Sequence, residues 1–351
     1  MKPVGNPRAV PRFSRRRLFG KAGEFGLAAL ATSSVVGCGT SRLAAAAAPA
    51  AKRKPTKGDV AILRFLAAAE LLETDLWEQY CELAMNNDGY QEALEQIDEA
   101  MVRYICDNTD DERAHAAFIN AYLQSIGEDP VNLDAFRTLP SVPVKGAEQR
   151  GRLTSLTGLT VDTSWYNRYR EPGNPDFGDT FDQIVTIHDR ATVPTADGLS
   201  DTQLLAAALA AAFHFPSIEQ GGSSLYTNMV TKATSADAVA IIASIGPTEV
   251  FHFAIWMDTL ENVPVFDSGD GFVIPDIDDD VREAVMPEPC KFFSPDLPLC
   301  SVIRPFTTEK AGAVAAATGL TASGLFSGQS QAFFDAVNSL ATAADAARRT
   351  G

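Results

Sequence analysis

Apolar residues step by threes and fours between Asp59 and Met85, at Ile62, Leu66, Ala69, Leu76, Tyr80 and Leu83. That spacing predicts one helix with an apolar stripe. Asn86-Asn87-Asp88-Gly89 then reads as a stop. A second helical pattern runs from about Gln91 to Ile126 and ends at Gly127 and Pro130. Leu94, Ile97, Met101, Tyr104, Ile119 and Tyr122 share one of its faces with Glu112 and His115. Between 128 and 200 the helical period disappears. Pro and Gly recur there, and aromatics cluster at Trp165, Tyr166, Tyr169, Phe177 and Phe181. Helical patterning returns at Asp201, read as an N-cap, and persists to about Val230. A fourth helix is expected from Ser235 or Ala236 to Leu260. Residues 263–310 are irregular, and an alanine-rich helix near Gln329 to Arg349 closes the chain. That last helix is expected to pack outside the other four or to mediate assembly.

Two helices, a long connection and two more helices are the order of a four-helix bundle with one long crossover. A structureless stretch as long as 128–200 fits a helical domain only as such a crossover or as an insertion. The expected fold class is therefore all-α: a four-helix bundle over 58–262, a crossover insertion at 128–200, and an irregular, helix-terminated extension at 263–351.

The chemistry falls on the helices. Only four histidines occur in the chain, and two of them follow a glutamate by three residues: Glu112-Arg113-Ala114-His115 and Glu249-Val250-Phe251-His252. Positions i and i+3 share a helix face, so each pair can aim a carboxylate and an imidazole at one point. Helix one carries Glu70 and Glu73, and helix three carries Glu219. Aligning Glu70 with Glu219 places Trp77 on Tyr226, an aromatic seven residues later in each case. The pattern is a repeated helical hairpin, each copy with a glutamate helix followed by a Glu-x-x-His helix. A glutamate from each of two helices and Glu-x-x-His from each of the other two is the ligand set of a carboxylate-bridged dinuclear metal site.

These motifs resemble the exported bacterial ferritin-like-domain proteins of the ferritin superfamily. Glu70, Glu73 and Trp77 match the first helix of that family. Glu219, Gly222 and Tyr226 match the third, and the two Glu-x-x-His pairs match the second and fourth. The resemblance covers about 59–126 and 201–260. It implies a ferritin-like bundle holding two iron or manganese ions, with Glu70, Glu73, Glu112, His115, Glu219, Glu249 and His252 as the candidate ligands. Glu70 and Glu73 compete for one position: the repeat alignment favours Glu70, and the apolar stripe favours Glu73. The implied activity is that of a dinuclear-metal oxidoreductase, ferroxidase-like or catalase-like, acting on a metal ion or a small oxidant such as peroxide or dioxygen. The alternative is a structural stress protein on the same scaffold, metal-free or binding metal without turnover. Long insertions and a tethered N-terminus argue against a hollow storage cage, while a homo-oligomer stays open.

Departures from the family pattern bear on geometry. Pro216 lies three residues before Glu219, and Pro247 two before Glu249. Each is expected to kink its helix or start a new segment. His188 reads as a loop histidine, and His214 as a core residue or a neighbour of the ligands. The acidic run Asp276 to Asp280 lacks EF-hand spacing and reads as a solvated loop.

Charge and cysteine usage add an address. The net charge is −16, yet residues 1–37 are basic, with seven basic side chains and one acid. The remaining chain is thus more acidic still and repels nucleic acid. Nucleotide fingerprints, phosphate loops and serine-triad motifs are missing. Ser14-Arg15-Arg16-Arg17-Leu18-Phe19-Gly20-Lys21 resembles a twin-arginine export signal, followed by a mild apolar run from Phe25 to Val36. Val35-Val36-Gly37-Cys38 resembles a lipobox that would acylate Cys38. Residues 1–38 are accordingly read as the signal and 39–57 as a flexible linker. The expected location is the periplasm or a membrane-anchored lipoprotein, touching membrane only through the lipid. Four further cysteines suit an oxidising destination. Cys290 and Cys300 flank a Pro-rich loop that a disulfide would close. Cys81 and Cys106 would stand level in an antiparallel hairpin whose ligands are level, so a second disulfide is expected there, with free buried thiols as the alternative.

Overall fold

Thr56 starts the first helix. Its hydroxyl accepts from the Asp59 amide at 3.1 Å, and Asp59 accepts from the Thr56 amide at 2.8 Å. This reciprocal capping box satisfies two donors that the first turn would otherwise leave orphaned. Helix α1 then runs Lys57–Asn86. The computed structural model describes residues 54–169, 181–277, 287–291, 293–294, 296–302 and 311–350. The expected export signal, Cys38, the expected linker up to residue 53 and the end of the acidic run at Asp278 to Asp280 lie outside the described residues.

The second helical pattern is two helices. Helix α2 spans Asp88–Ile97 and α3 spans Met101–Ser125. Asp98 makes the break: its backbone is extended, and its side chain accepts from the Ala100 amide at 2.7 Å. A short acid bonding its own backbone two residues on competes with helix continuation, which the apolar period did not register. Only Asn87 separates α1 from α2, and its side chain accepts from the Tyr90 amide at 3.1 Å.

Helix α4 (Trp165–Arg168) interrupts the crossover, which also contains the strands β1 (Leu159–Val161) and β2 (Ile187–Arg190), paired antiparallel. Helix α5 spans Asp201–Lys232 and α6 spans Ala236–Thr259. The N-cap of α5 is Ser200 rather than Asp201, with Gln203 completing a second capping box. Both α5 and α6 continue through their prolines, Pro216 and Pro247. Pro216 is buried, and tertiary packing outweighs the lost backbone bond.

Bundle helices α1, α3, α5 and α6 enclose an aromatic core. Trp77 stacks on Trp256 with ring centres 5.5 Å apart, and Phe215 lies 4.7 Å from Trp256. Helix α6 with the turn that follows it is long and apolar enough to cross a membrane by composition. In the fold it is a bundle helix, packed on α5 and carrying Glu249 and His252. Asp59 also accepts from the Thr234 amide at 2.6 Å and the Ser235 amide at 3.2 Å, tying the start of α1 to the α5–α6 corner.

Buried acids fasten the crossover to α1: Glu82 pairs with Arg152, and Asp75 holds a backbone corner. Asp75 accepts from the amides of Leu153 and Thr154 at 2.9 Å each, and from Arg137 at 2.6 Å. Beyond the bundle, β3 (Phe266–Asp267) and β4 (Val273–Ile274) form a short ribbon. Helix α7 (Ala313–Ala322) was not expected, because its Ala, Gly and Thr content gives almost no apolar period. Helix α8 (Gln331–Asp345) lies within the predicted terminal helix and packs on α1 from outside. Lys232 pairs with Asp345 at 2.6 Å, and Gln329 donates to the carbonyls of Phe136 and Leu153 at 2.9 Å. The extension is thereby pinned to both bundle and crossover.

One expected disulfide is present and one is not. Cys81 and Cys106 are bonded, joining α1 to α3. Cys290 and Cys300 are free thiols. They face each other in an antiparallel bridge whose backbones exchange both hydrogen bonds, at 3.1 and 2.9 Å. The Cys290 sulfur instead lies 3.7 Å from the Cys300 carbonyl oxygen, and the Cys300 sulfur 3.8 Å from the Ser301 carbonyl oxygen.

Candidate metal centre

Four helices bring six of the seven predicted ligands to one point inside the bundle. Glu70 comes from α1, Glu112 and His115 from α3, Glu219 from α5, and Glu249 and His252 from α6. The side chains of all four glutamates are within 1% of full burial. Two sets form, each with ligand atoms within 4.8 Å of one another: Glu70, Glu112, His115 and Glu249, and Glu112, Glu219, Glu249 and His252. Glu112 and Glu249 belong to both. Each remaining glutamate stays with the histidine of its own hairpin, as the internal repeat requires.

The imidazoles enter through Nδ1. His115 Nδ1 lies 3.3 Å from Glu70, 3.1 Å from Glu112 and 3.4 Å from Glu249. His252 Nδ1 lies 3.1 Å from Glu112 and 3.3 Å from Glu219. The ring centres are 6.3 Å apart. The far nitrogen of His252, Nε2, meets Asp111 at 2.9 Å. A carboxylate there fixes the tautomer and leaves Nδ1 to serve as a ligand.

Glu73, the competitor of Glu70, is in neither set. It sits one turn farther along α1, half-buried, on the wall of a cavity beside the centre. One turn along α1 from Glu70, its carboxylate lines that cavity and not either ligand set. His188 lies exposed on β2, and His214 is buried in α5 with Nδ1 2.8 Å from the Tyr80 hydroxyl. Neither joins the cluster.

Sequence reasoning missed the residues that orient the ligands. Asn108 donates to Glu112 at 2.7 Å and to Glu219 at 3.1 Å, while its oxygen accepts from Trp256 Nε1 at 3.0 Å. It therefore locks two carboxylates from different hairpins. Tyr226, noticed only as the aromatic of the repeat, donates its hydroxyl to Glu70 Oε1. An asparagine one turn before Glu112 was the available signal, and its type is too common to stand out.

Electrostatics separate the carboxylates. Burial pushes Glu249 well above the ordinary carboxylate range, and Glu112 and Glu70 push it further. Burial also raises Glu70, against the opposing pull of His115. Glu112 goes the other way: burial would raise it, but hydrogen bonds from His115 and His252 outweigh that and lower it. Both histidines are raised: burial pulls them down, and the surrounding glutamates push them up by more.

The donor set fits a cation. Glu249 Oε2 is buried without a partner, and Glu249 Oε1 and Glu70 Oε2 lie 3.4 and 3.3 Å from His115 Nδ1 outside hydrogen-bond geometry. Such atoms cost free energy unless something binds them. Room for the Glu249 carboxylate comes from Gly222, where an added Cβ would stand 2.5 Å from Glu249 Oε2. By contrast, a Cβ on the adjacent Gly221 would meet nothing within 4 Å.

No curated protein and no solved structure matches the chain significantly. A family model described as Ferritin-like domain matches residues 58–262, the span from the start of α1 to the end of the fourth bundle helix. That match takes in all six clustered residues and more than half of the 351-residue chain, and the protein belongs to the ferritin-like domain family.

Proposed function

We propose that this protein is an exported dinuclear iron or manganese protein that oxidises metal ions or removes peroxide or dioxygen at the cell envelope. The observation that carries the reading is the sharing of Glu112 and Glu249 between two ligand sets. Shared carboxylates suit bridging positions. Glu70 with His115, and Glu219 with His252, suit the outer position of one ion each. Four ionised glutamates and two neutral histidines carry a charge that two divalent cations would cancel, removing the cost of burying so many acids together. Carboxylate and imidazole donors without thiolate suit iron or manganese. When bound, such a pair supplies reversible redox chemistry toward a small oxidant.

The chain's own residues hold and orient. Asn108 keeps Glu112 and Glu219 in place, and Asp111 keeps a proton on His252 Nε2. The Tyr226 hydroxyl stands against Glu70 and is a proton donor inside the dry bundle. A metal-free structural role is less well supported, because it leaves Glu249 Oε2 without a partner in the interior.

The test is anaerobic loading with iron(II) or manganese(II), followed by oxygen-electrode and peroxide-consumption assays. Consumption that disappears in Glu112→Gln and Glu249→Gln variants supports turnover. Stoichiometric metal without consumption reduces the reading to a binding module. Export is tested separately by replacing Arg15, Arg16 and Arg17 with lysine, which should retain the protein in the cytoplasm. Cys38→Ser should release it from the membrane fraction.

A further inference from the structure

A cavity of about 1150 Å³ opens beside the centre, between α1, α5, the β1–β2 ribbon and α7. It is larger than most small-molecule sites. Its floor is buried, at Leu72, Leu225 and His214, and its mouth is exposed, at Thr318 and Ala322 of α7. The width comes from α7, whose Ala313-Val-Ala-Ala-Ala-Thr-Gly sequence offers few side chains to fill the gap. Most of the lining is apolar.

A polar atom waits at the floor. His214 is 3% exposed, and the Tyr80 hydroxyl, itself 2.6 Å from Thr192 Oγ1, holds its Nδ1 at 2.8 Å. Its other nitrogen, Nε2, is buried without a partner. An unpaired buried imidazole nitrogen is costly unless a ligand completes it. Burial pushes the ring down to about 3, so it is neutral at physiological pH and suits an uncharged hydroxyl. Two carboxylates, Glu73 and Asp162, face one guanidinium, Arg168, around the walls, while Asp345 is paired with Lys232. That balance disfavours an anionic head. Gly222 lines the cavity and also packs on Glu249, so an occupant lies one backbone wall from the proposed metal ligands.

We propose that this cavity binds a neutral long-chain primary alcohol, its hydroxyl on His214 Nε2 and its chain along α7. The site does not depend on metal, so it is measured on metal-free protein and its failure is separate from failure of the dinuclear reading. The probe is the uncharged dye N-phenyl-1-naphthylamine, displaced by 1-decanol or by decanoate. Decanol is expected to displace the dye at a concentration at least about tenfold lower than decanoate. Thr318→Trp, at the exposed mouth, is expected to abolish binding of both dye and decanol while leaving the circular dichroism unchanged. His214→Leu is expected to remove the preference for decanol while keeping the dye. Equal displacement by decanoate, or an unaltered preference in His214→Leu, overturns the head-group assignment. Full binding by Thr318→Trp overturns the cavity.

Discussion

Gly222 on α5 stands where any side chain would collide with Glu249 on α6: a Cβ there would lie 2.5 Å from Glu249 Oε2. Glu249 is shared by both ligand sets, so this one missing methyl group holds open the middle of the centre. Gly222→Ala is expected to displace the carboxylate and weaken metal binding by about 100-fold, the scale of losing a ligand's support. Gly221→Ala is the control, because its Cβ meets nothing within 4 Å. It should keep full affinity and gain about 0.5–1 kcal/mol of stability from helix propensity. Metal titration and thermal unfolding of the two variants check both outcomes.

Asn108 bridges Glu112, Glu219 and Trp256. Asn108→Leu leaves two carboxylates and one indole N–H without their partner. Metal affinity should fall by about 10–100-fold without loss of any ligand. Trp256→Phe, which frees only the Asn108 oxygen, should have a smaller effect. Competition titrations against a chromogenic chelator measure both.

Binding should strengthen as pH rises. The His252 imidazole is pulled down by burial but pushed up more by Glu219 and Glu112, to about 12. His115 is raised as well. Both must give up a proton to become ligands, so metal uptake should release about two or more protons near neutrality. Isothermal titration in buffers of different ionisation enthalpy counts them, and no release would contradict the arrangement. The sign for stability follows. A raised histidine stabilises the metal-free fold fully below its unfolded value of about 6.5, and that contribution is lost only as pH rises through the folded value. The stability gap between loaded and metal-free protein should therefore narrow as pH falls.

The Cys81–Cys106 bond closes a 25-residue separation and joins α1 to α3. Constraining that loop in the unfolded chain contributes about 3 kcal/mol. Cys81→Ser with Cys106→Ser should lower the unfolding free energy by about that amount in denaturant titration. Cys300→Ser should change it little, since that thiol is free and exposed.

Ligand helices were legible because Glu-x-x-His and the apolar stripe share one period, and because Glu70/Trp77 and Glu219/Tyr226 repeat at equal spacing. The crossover was legible as a loss of period. What stayed hidden depends on contacts between distant segments. Cys290 and Cys300 stand opposite each other as free thiols, and no spacing rule distinguishes that from a disulfide. Asp98 broke a helix through a local side-chain bond that a periodic pattern does not weigh. Pro216 and Pro247 erred in the other direction: local propensity predicts interruption, and burial of the surrounding helix overrides it. The repeat alignment favoured Glu70 over Glu73 and the apolar stripe favoured the reverse; of the two, the packed bundle brings Glu70 into a ligand set.

Metal content tests the dinuclear assignment most directly. The full chain, purified after folding in the cytoplasm, is compared by inductively coupled plasma mass spectrometry with a His115→Ala/His252→Ala double variant matched by circular dichroism. About two iron or manganese ions per chain are expected in the parent, as four glutamates and two histidines in this arrangement hold, and close to none in the variant. Equal metal in the two proteins, or a parent that takes up neither iron(II) nor manganese(II) under anaerobic loading, contradicts it.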